Sequence, residues 1–184
     1  MIVEQIDFNK AFLVASRVHK GQVRVGTNEP YISHPLAVSQ ILIDYGRPRV
    51  EVIAGILHDT IEDIKGDSAR SALIEEILKE FGFEVLQLVK GVTKISRKED
   101  GNRRERVKID IYHYVMAKAG SHNVKIADVM HNLSDVDSLD LEFAKKYIRE
   151  KDWLISEFEK NGKANAEMLR DVKTLINKLL LQFK

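Results

Sequence analysis

The stretch Val50-Glu51-Val52-Ile53-Ala54-Gly55-Ile56-Leu57-His58-Asp59-Thr60-Ile61-Glu62-Asp63 decides the fold. Its first half is apolar except for Glu51, and Val50, Val52 and Ile53 by themselves suit a buried strand as well as a buried helix. A strand needs a partner, and no second strand-like run occurs along the chain. Residues 49–59 are therefore predicted to form a buried helix. His58, Asp59, Glu62 and Asp63 follow it immediately. They are either a helix end surfacing into water or a group gathered around something, because burying a histidine and three acids without compensation is expensive.

Working outward, the three prolines (Pro30, Pro35, Pro48) all fall between residues 30 and 48, and the rest is rich in Leu, Ile, Lys and Glu. That composition favours helices. Phe8, Phe12, Ala15 and His19 share one helical face, predicting a helix over 7–20, followed by a Gly-containing loop from Gly21 to Tyr31. Pro35 suits a first helical turn, with Leu36, Val38, Ile41, Leu42 and Tyr45 carrying that helix to Gly46. Further helices are expected over 70–80 and 83–92, divided at Phe81-Gly82, then over 106–119, 121–135, 142–160 and 164–182. Residues 94–106, rich in Lys and Arg, lack apolar periodicity and read as an exposed loop or frayed helix start. The expectation is an all-α, single-domain bundle of about eight to nine helices spanning residues 1–184, without repeats or linkers.

The bulk properties agree. A length of 184 residues suits one substantial core. A net charge of +1 gives the molecule no strong electrostatic reason to seek DNA, RNA or a membrane surface. Cysteine is absent, which excludes disulfides, thiolate catalysis and Cys-type zinc sites. The N-terminal MIVEQIDFNK lacks a basic segment followed by an apolar one, so no signal peptide is expected, and no apolar run approaches the ~20 residues that span a bilayer. A cytoplasmic location is the expectation, with oligomeric state left open.

Two other segments bear on the chemistry. Tyr31-Ile32-Ser33-His34-Pro35 places His34 at a helix start, where the following proline restricts the backbone. In Lys125-Ile126-Ala127-Asp128-Val129-Met130-His131-Asn132-Leu133, the residues Asp128, His131, Asn132 and Asp135 share one face of an otherwise apolar helix. That polar stripe faces either water or a polar site within the bundle. Two imidazoles and two carboxylates from three helices suit a divalent ion of the Mn, Fe or Zn type with positions left for water and substrate. Such an ion lets water ionise near neutral pH, a nearby carboxylate can move the proton, and phosphate esters and anhydrides are the natural electrophiles.

These segments carry a resemblance. His34-Pro35, then Leu57 to Asp63, then Phe81-Gly82-Phe83-Glu84-Val85 with Leu88-Val89-Lys90-Gly91-Val92-Thr93-Lys94, then Lys125 to Leu133, follow the order and spacing of the HD-domain superfamily. The segment from His19 to Pro35 fits as well. Within the superfamily they resemble the (p)ppGpp hydrolase domain of RelA/SpoT proteins and the stand-alone small alarmone hydrolases of the metazoan SpoT homologue type. The match covers about residues 8–160.

The resemblance implies a role for each matching position. His34, His58, Asp59 and Asp128 correspond to the ligands of a single Mn²⁺. Glu62 and Asp63 correspond to the acid pair that orients and activates water. Arg24 matches an arginine that packs on the guanine base, Asn132 a residue beside the sugar and phosphate, and Lys94 opens the basic loop on the phosphate side. The implied reaction is hydrolysis of the 3′-pyrophosphate of ppGpp or pppGpp, giving GDP or GTP and pyrophosphate, in a form without synthetase or regulatory domains. His131 is given no ligand role. After residue 140, Lys146, Tyr147 and Arg149 are candidate nucleotide contacts. The loop Val25-Gly26-Thr27-Asn28-Glu29 departs from the family's basic-Ser-Gly-Glu pattern and is one residue longer. That departure keeps open another nucleotide, such as the 2′-phosphate of NADPH. A non-catalytic nucleotide-binding module is a further alternative, against which the intact ligand and acid positions stand.

Overall fold

The computed structural model describes residues 2–25 and 28–183. Gly26 and Thr27, in the divergent loop after Arg24, lie outside the described residues. Nine α-helices are formed among those described: α1 (Ile2–Val18), α2 (Ser33–Asp44), α3 (Arg49–Leu57), α4 (Thr60–Asp63), α5 (Asp67–Val92), α6 (Arg103–Met116), α7 (Ala119–Ser134), α8 (Leu141–Asn161) and α9 (Ala166–Gln182). Their β-type pairing is confined to an isolated antiparallel bridge between Val23 and Pro30.

The deciding stretch is helical, and its surroundings show why. α3 packs against α1, α2, α5 and α7, so every face meets another helix and all of Glu51 to Leu57 is buried. A segment enclosed on all sides shows no amphipathic period, which made its type ambiguous in sequence. Glu51 is tolerated inside because the Arg47 guanidinium (2.8 Å) and the Asn123 amide (3.0 Å) donate to its carboxylate. Gly55 lets α2 come close: a Cβ there would stand 2.7 Å from Leu42 Cδ1, in a side chain with no exposure.

α5 is broken where Phe81-Gly82 predicted a division, since Gly82 takes φ 85°, which only glycine adopts cheaply. α6 begins at Arg103, three residues before the expected start, because Asn102 caps it and Glu105 returns a bond to the Asn102 N–H. Phe158 of α8 and Met168, Val172 and Ile176 of α9 are fully or almost fully buried where these helices close over α7. No helix among the described residues is long and apolar enough to cross a membrane.

Candidate metal centre

α3 ends at Leu57, and His58 and Asp59 form the link to the single-turn α4. Asp59 (φ −94°, ψ −6°) leaves helical geometry just enough to restart the chain, and the Thr60 hydroxyl donates to the Leu57 carbonyl at 2.7 Å. The two residues, which on a continuous helix would diverge by about 100°, thereby point into one space. His58 Nε2 lies 2.9 Å from Asp59 Oδ2. α2 brings His34, whose Nε2 is 3.2 Å from His58 Nε2 and 3.6 Å from Asp59 Oδ2. α7 brings Asp128, whose Oδ1 is 3.2 Å from His34 Nε2 and 3.7 Å from His58 Nε2. One donor atom each of His34, His58 and Asp59 lies within 4.8 Å of the other two.

Each group is also engaged by a neighbour around the cluster. His58 Nδ1 donates to the Gly55 carbonyl at 2.8 Å, leaving Nε2 for the centre. His34 Nδ1 lies 2.9 Å from His131 Nδ1. The Tyr31 hydroxyl donates to Asp59 Oδ2 at 2.5 Å, and Lys125 Nζ stands 2.9 Å from Asp128 Oδ2 while the Asn132 amide donates to Oδ1. This donor set fits a divalent ion: two imidazole nitrogens and two carboxylates converge, and each residue is held by a hydrogen bond or ion pair to a neighbouring group.

The electrostatics follow from that crowding. Burial pulls His58 down, but the Asp59 and Asp128 carboxylates outweigh it and hold the imidazole up at about 10. Burial opposes ionisation of Asp59 and Asp128 too. His58 lowers the first, and Lys125, His34 and His58 lower the second, so both carboxyls sit below the usual range. Burial, joined by the charges of His34 and Arg24, pushes His131 down to about 4. Tyr31 is raised, first by burial and then by Asp59.

Glu62 and Asp63 sit on α4 beside the cluster. Lys94 binds Glu62 Oε1 at 2.5 Å, and Asp63 Oδ2 lies 3.5 Å from His19 Nδ1. Asp110 pins the segment after Lys94 by accepting from the Ile95 and Ser96 N–H groups at 3.0 and 2.9 Å. Arg24 reaches across to α7, donating to Asn132 Oδ1 at 3.2 Å and Asp135 Oδ2 at 2.7 Å. The structure thus brings Arg24, His34, His58, Asp59, Glu62, Asp63, Lys94, Asp128 and Asn132 into one neighbourhood.

A cavity of about 440 Å³ opens from the cluster, with Asp59, Glu62, Asp63, Asp128 and Asn132 on its lining. α6, α7 and α8 supply Arg103, Arg106, Lys125 and Lys151 to its other walls, with Tyr147 among them. Of the three candidates after residue 140, Tyr147 lines this cavity, whereas Lys146 and Arg149 are exposed and do not. Sequence reading missed Tyr31, Lys125 and Lys151. Lys125 had a signal, its three-residue spacing from Asp128; the other two had none.

An all-helical bundle that gathers two histidines and two aspartates at a helix break, beside an acid pair, defines a class of domains built around a His–Asp cluster. The chain belongs to the HD domain family, which matches residues 11–154. It is 37% identical over 142 residues to a GTP pyrophosphokinase of Streptomyces coelicolor, covering 77% of this chain and 16% of that protein. It is 35% identical over 144 residues to a probable guanosine-3′,5′-bis(diphosphate) 3′-pyrophosphohydrolase of Synechocystis, covering 77% of this chain and 18% of the relative. The chain therefore spans about a fifth or less of these relatives' length. In fold it resembles a solved metazoan ortholog of SpoT, described as hydrolysing ppGpp and playing a role in starvation responses. The TM-score is 0.78 at 22% identity, over 94% of both chains.

Proposed function

We propose that this chain is a Mn²⁺-dependent hydrolase that removes the 3′-pyrophosphate of ppGpp or pppGpp, giving GDP or GTP and pyrophosphate. The observation that carries the reading is the convergence of His34, His58, Asp59 and Asp128 beside Glu62 and Asp63 at one end of a cation-lined cavity. The names of the Synechocystis relative and of the metazoan neighbour support the substrate. The four clustered residues would hold the ion, which supplies Lewis acidity toward water and phosphate oxygen when bound.

The chain's own residues do the rest. Glu62 and Asp63 orient the attacking water and take its proton, with Lys94 holding the Glu62 carboxylate in place. Attack at the phosphorus joined to the 3′ oxygen breaks the 3′ O–P bond; pyrophosphate leaves and the nucleotide 3′ oxygen is protonated. Arg24, oriented by Asn132 and Asp135, takes the base. Lys94 and Lys125, which line the cavity beside the acid pair and the cluster, neutralise the charge that builds on the transferred group.

The test is to incubate Mn²⁺-loaded protein with ppGpp and assay GDP and pyrophosphate, alongside a panel that includes NADPH, whose 2′-phosphate the same cluster could reach. Release of both products from ppGpp supports the reading. Turnover of another panel member alone would move the substrate, and no turnover on any member with the ion bound would overturn the hydrolase assignment.

A further inference from the structure

The cations around the cavity are not equally provided for. Lys94 is matched by Glu62, Lys125 by Asp128, and Arg103 by Glu150, which it grips through two bonds of 2.6 and 2.8 Å. Lys151 and Arg106 have no carboxylate partner among the described residues. Arg106 Nε is buried without a hydrogen-bond acceptor, and the Lys151 ammonium stands 4.6 Å from the Tyr147 ring centroid. Both side chains are half-buried and line the same cavity.

Enclosing a cation without a counterion is costly, and a π-face returns only part of the lost hydration. The penalty registers on Lys151, where burial and then the neighbouring Lys125 depress the ammonium to about 8. A bundle selected for stability alone would place apolar or paired residues at these two positions. Their charge is relieved when an anion enters the cavity. Two unmatched positive charges call for a group carrying about two negative ones, which a phosphate or pyrophosphate provides at neutral pH and a single carboxylate does not.

We propose that Lys151 and Arg106 form an anion-binding point, apart from the His–Asp cluster, that grips a phosphate group of the substrate. It rests on the phosphate-ester reading above and deepens it: the substrate carries phosphate held by α6 and α8 as well as phosphate presented to the cluster. Lys151, from the middle of α8, is the specificity-determining member, because it selects ligands with charge at that depth of the cavity.

The experiment is calorimetric titration of the 184-residue chain with inorganic pyrophosphate, metal-free and Mn²⁺-loaded, for the parent, Lys151→Met and Lys151→Arg. Parent protein is expected to bind pyrophosphate in both states. Lys151→Met should weaken binding by about tenfold or more, the scale of one lost charged hydrogen bond, and Lys151→Arg should restore most of it. Mn²⁺ affinity of Lys151→Met should match the parent's and its thermal melting should be equal or higher, because an unmatched charge is removed, whereas a structural role would lower it. Arg106→Met gives the same reading from α6 should Lys151→Met fail to fold. Parent-like pyrophosphate affinity in Lys151→Met and Arg106→Met, or no binding by the parent in either state, overturns the proposal. Because no turnover is needed, ppGpp can go unhydrolysed while this subsite stands, and ppGpp can be hydrolysed while the subsite falls.

Discussion

The His–Asp cluster and the cationic wall of the cavity are both crowded with charge, yet they treat it in opposite ways. In the cluster every residue has a partner: His58 has Gly55, His34 has His131, Asp59 has Tyr31, and Asp128 has Lys125 and Asn132. On the wall, Lys151 and Arg106 are left unanswered among the described residues. Hydrogen bonds that hold a donor set in place reduce the reorganisation needed when an ion binds. Unmatched cations do the reverse, storing an electrostatic cost that a ligand relieves. One region is preorganised and the other is waiting for charge.

The comparison can be broken most severely at the cluster. Asp59→Ala is expected to lower turnover by at least about a thousandfold with loss of bound Mn²⁺, read by metal analysis of the purified protein. Glu62→Ala should cost about a hundredfold or more in kcat while Mn²⁺ stays bound. That split separates the ligand from the proton-handling acid, and equal metal loss in both would erase it. Removing an outer bond tests preorganisation: His131→Phe should weaken Mn²⁺ binding by about ten- to a hundredfold, measured by titration, with the fold intact by circular dichroism.

On the wall the sensitive variable is pH. Lys151 ionises below its ordinary value, so pyrophosphate affinity is full below about pH 8 and falls as the ammonium deprotonates above it. Lys125 and Asp128 on α7, Lys94, and Glu150 on α8 are the charged groups acting on it. Calorimetric titrations at pH 7 and 9 should show a drop for the parent that is absent in Lys151→Met. The sign for stability is opposite: between about 8 and the unfolded lysine value near 10.5 the unfolded chain binds more protons, so Lys151 makes folding more favourable as pH rises. The smallest effect is expected away from both regions. Gly55→Ala must displace the buried Leu42 and should cost about 1–3 kcal/mol in chemical denaturation.

Much of the helix plan was legible. The stripe of Met168, Val172, Ile176 and Leu179 reads off α9 directly, because one side faces the bundle and the other faces water. Gly82 announced the break in α5 because no other residue takes its backbone angle easily. α3 was legible only by elimination, since burial on every side removes the period that marks a helix. At the centre, the three-, four- and seven-residue spacings on α7 placed Asp128 and Asn132 on one face, and the structure turns that face to the cluster. Tyr31 gave no such signal, since its bond to Asp59 depends on how the loop before α2 crosses the α3–α4 link.

The sequence by itself determined which residues are chemically able to bind an ion and move a proton, since residue types and spacings within each segment are local properties. It also determined that His58 and Asp59 fall at the end of a buried element. Only the tertiary structure decided that α2, α3 and α7 bring their donors within a few ångströms, and that Lys151 stands unmatched where Lys125 does not. Spacing along a helix fixes a direction from one axis. Pairing across a cavity depends on where several axes lie relative to one another, which the packing of the whole bundle sets.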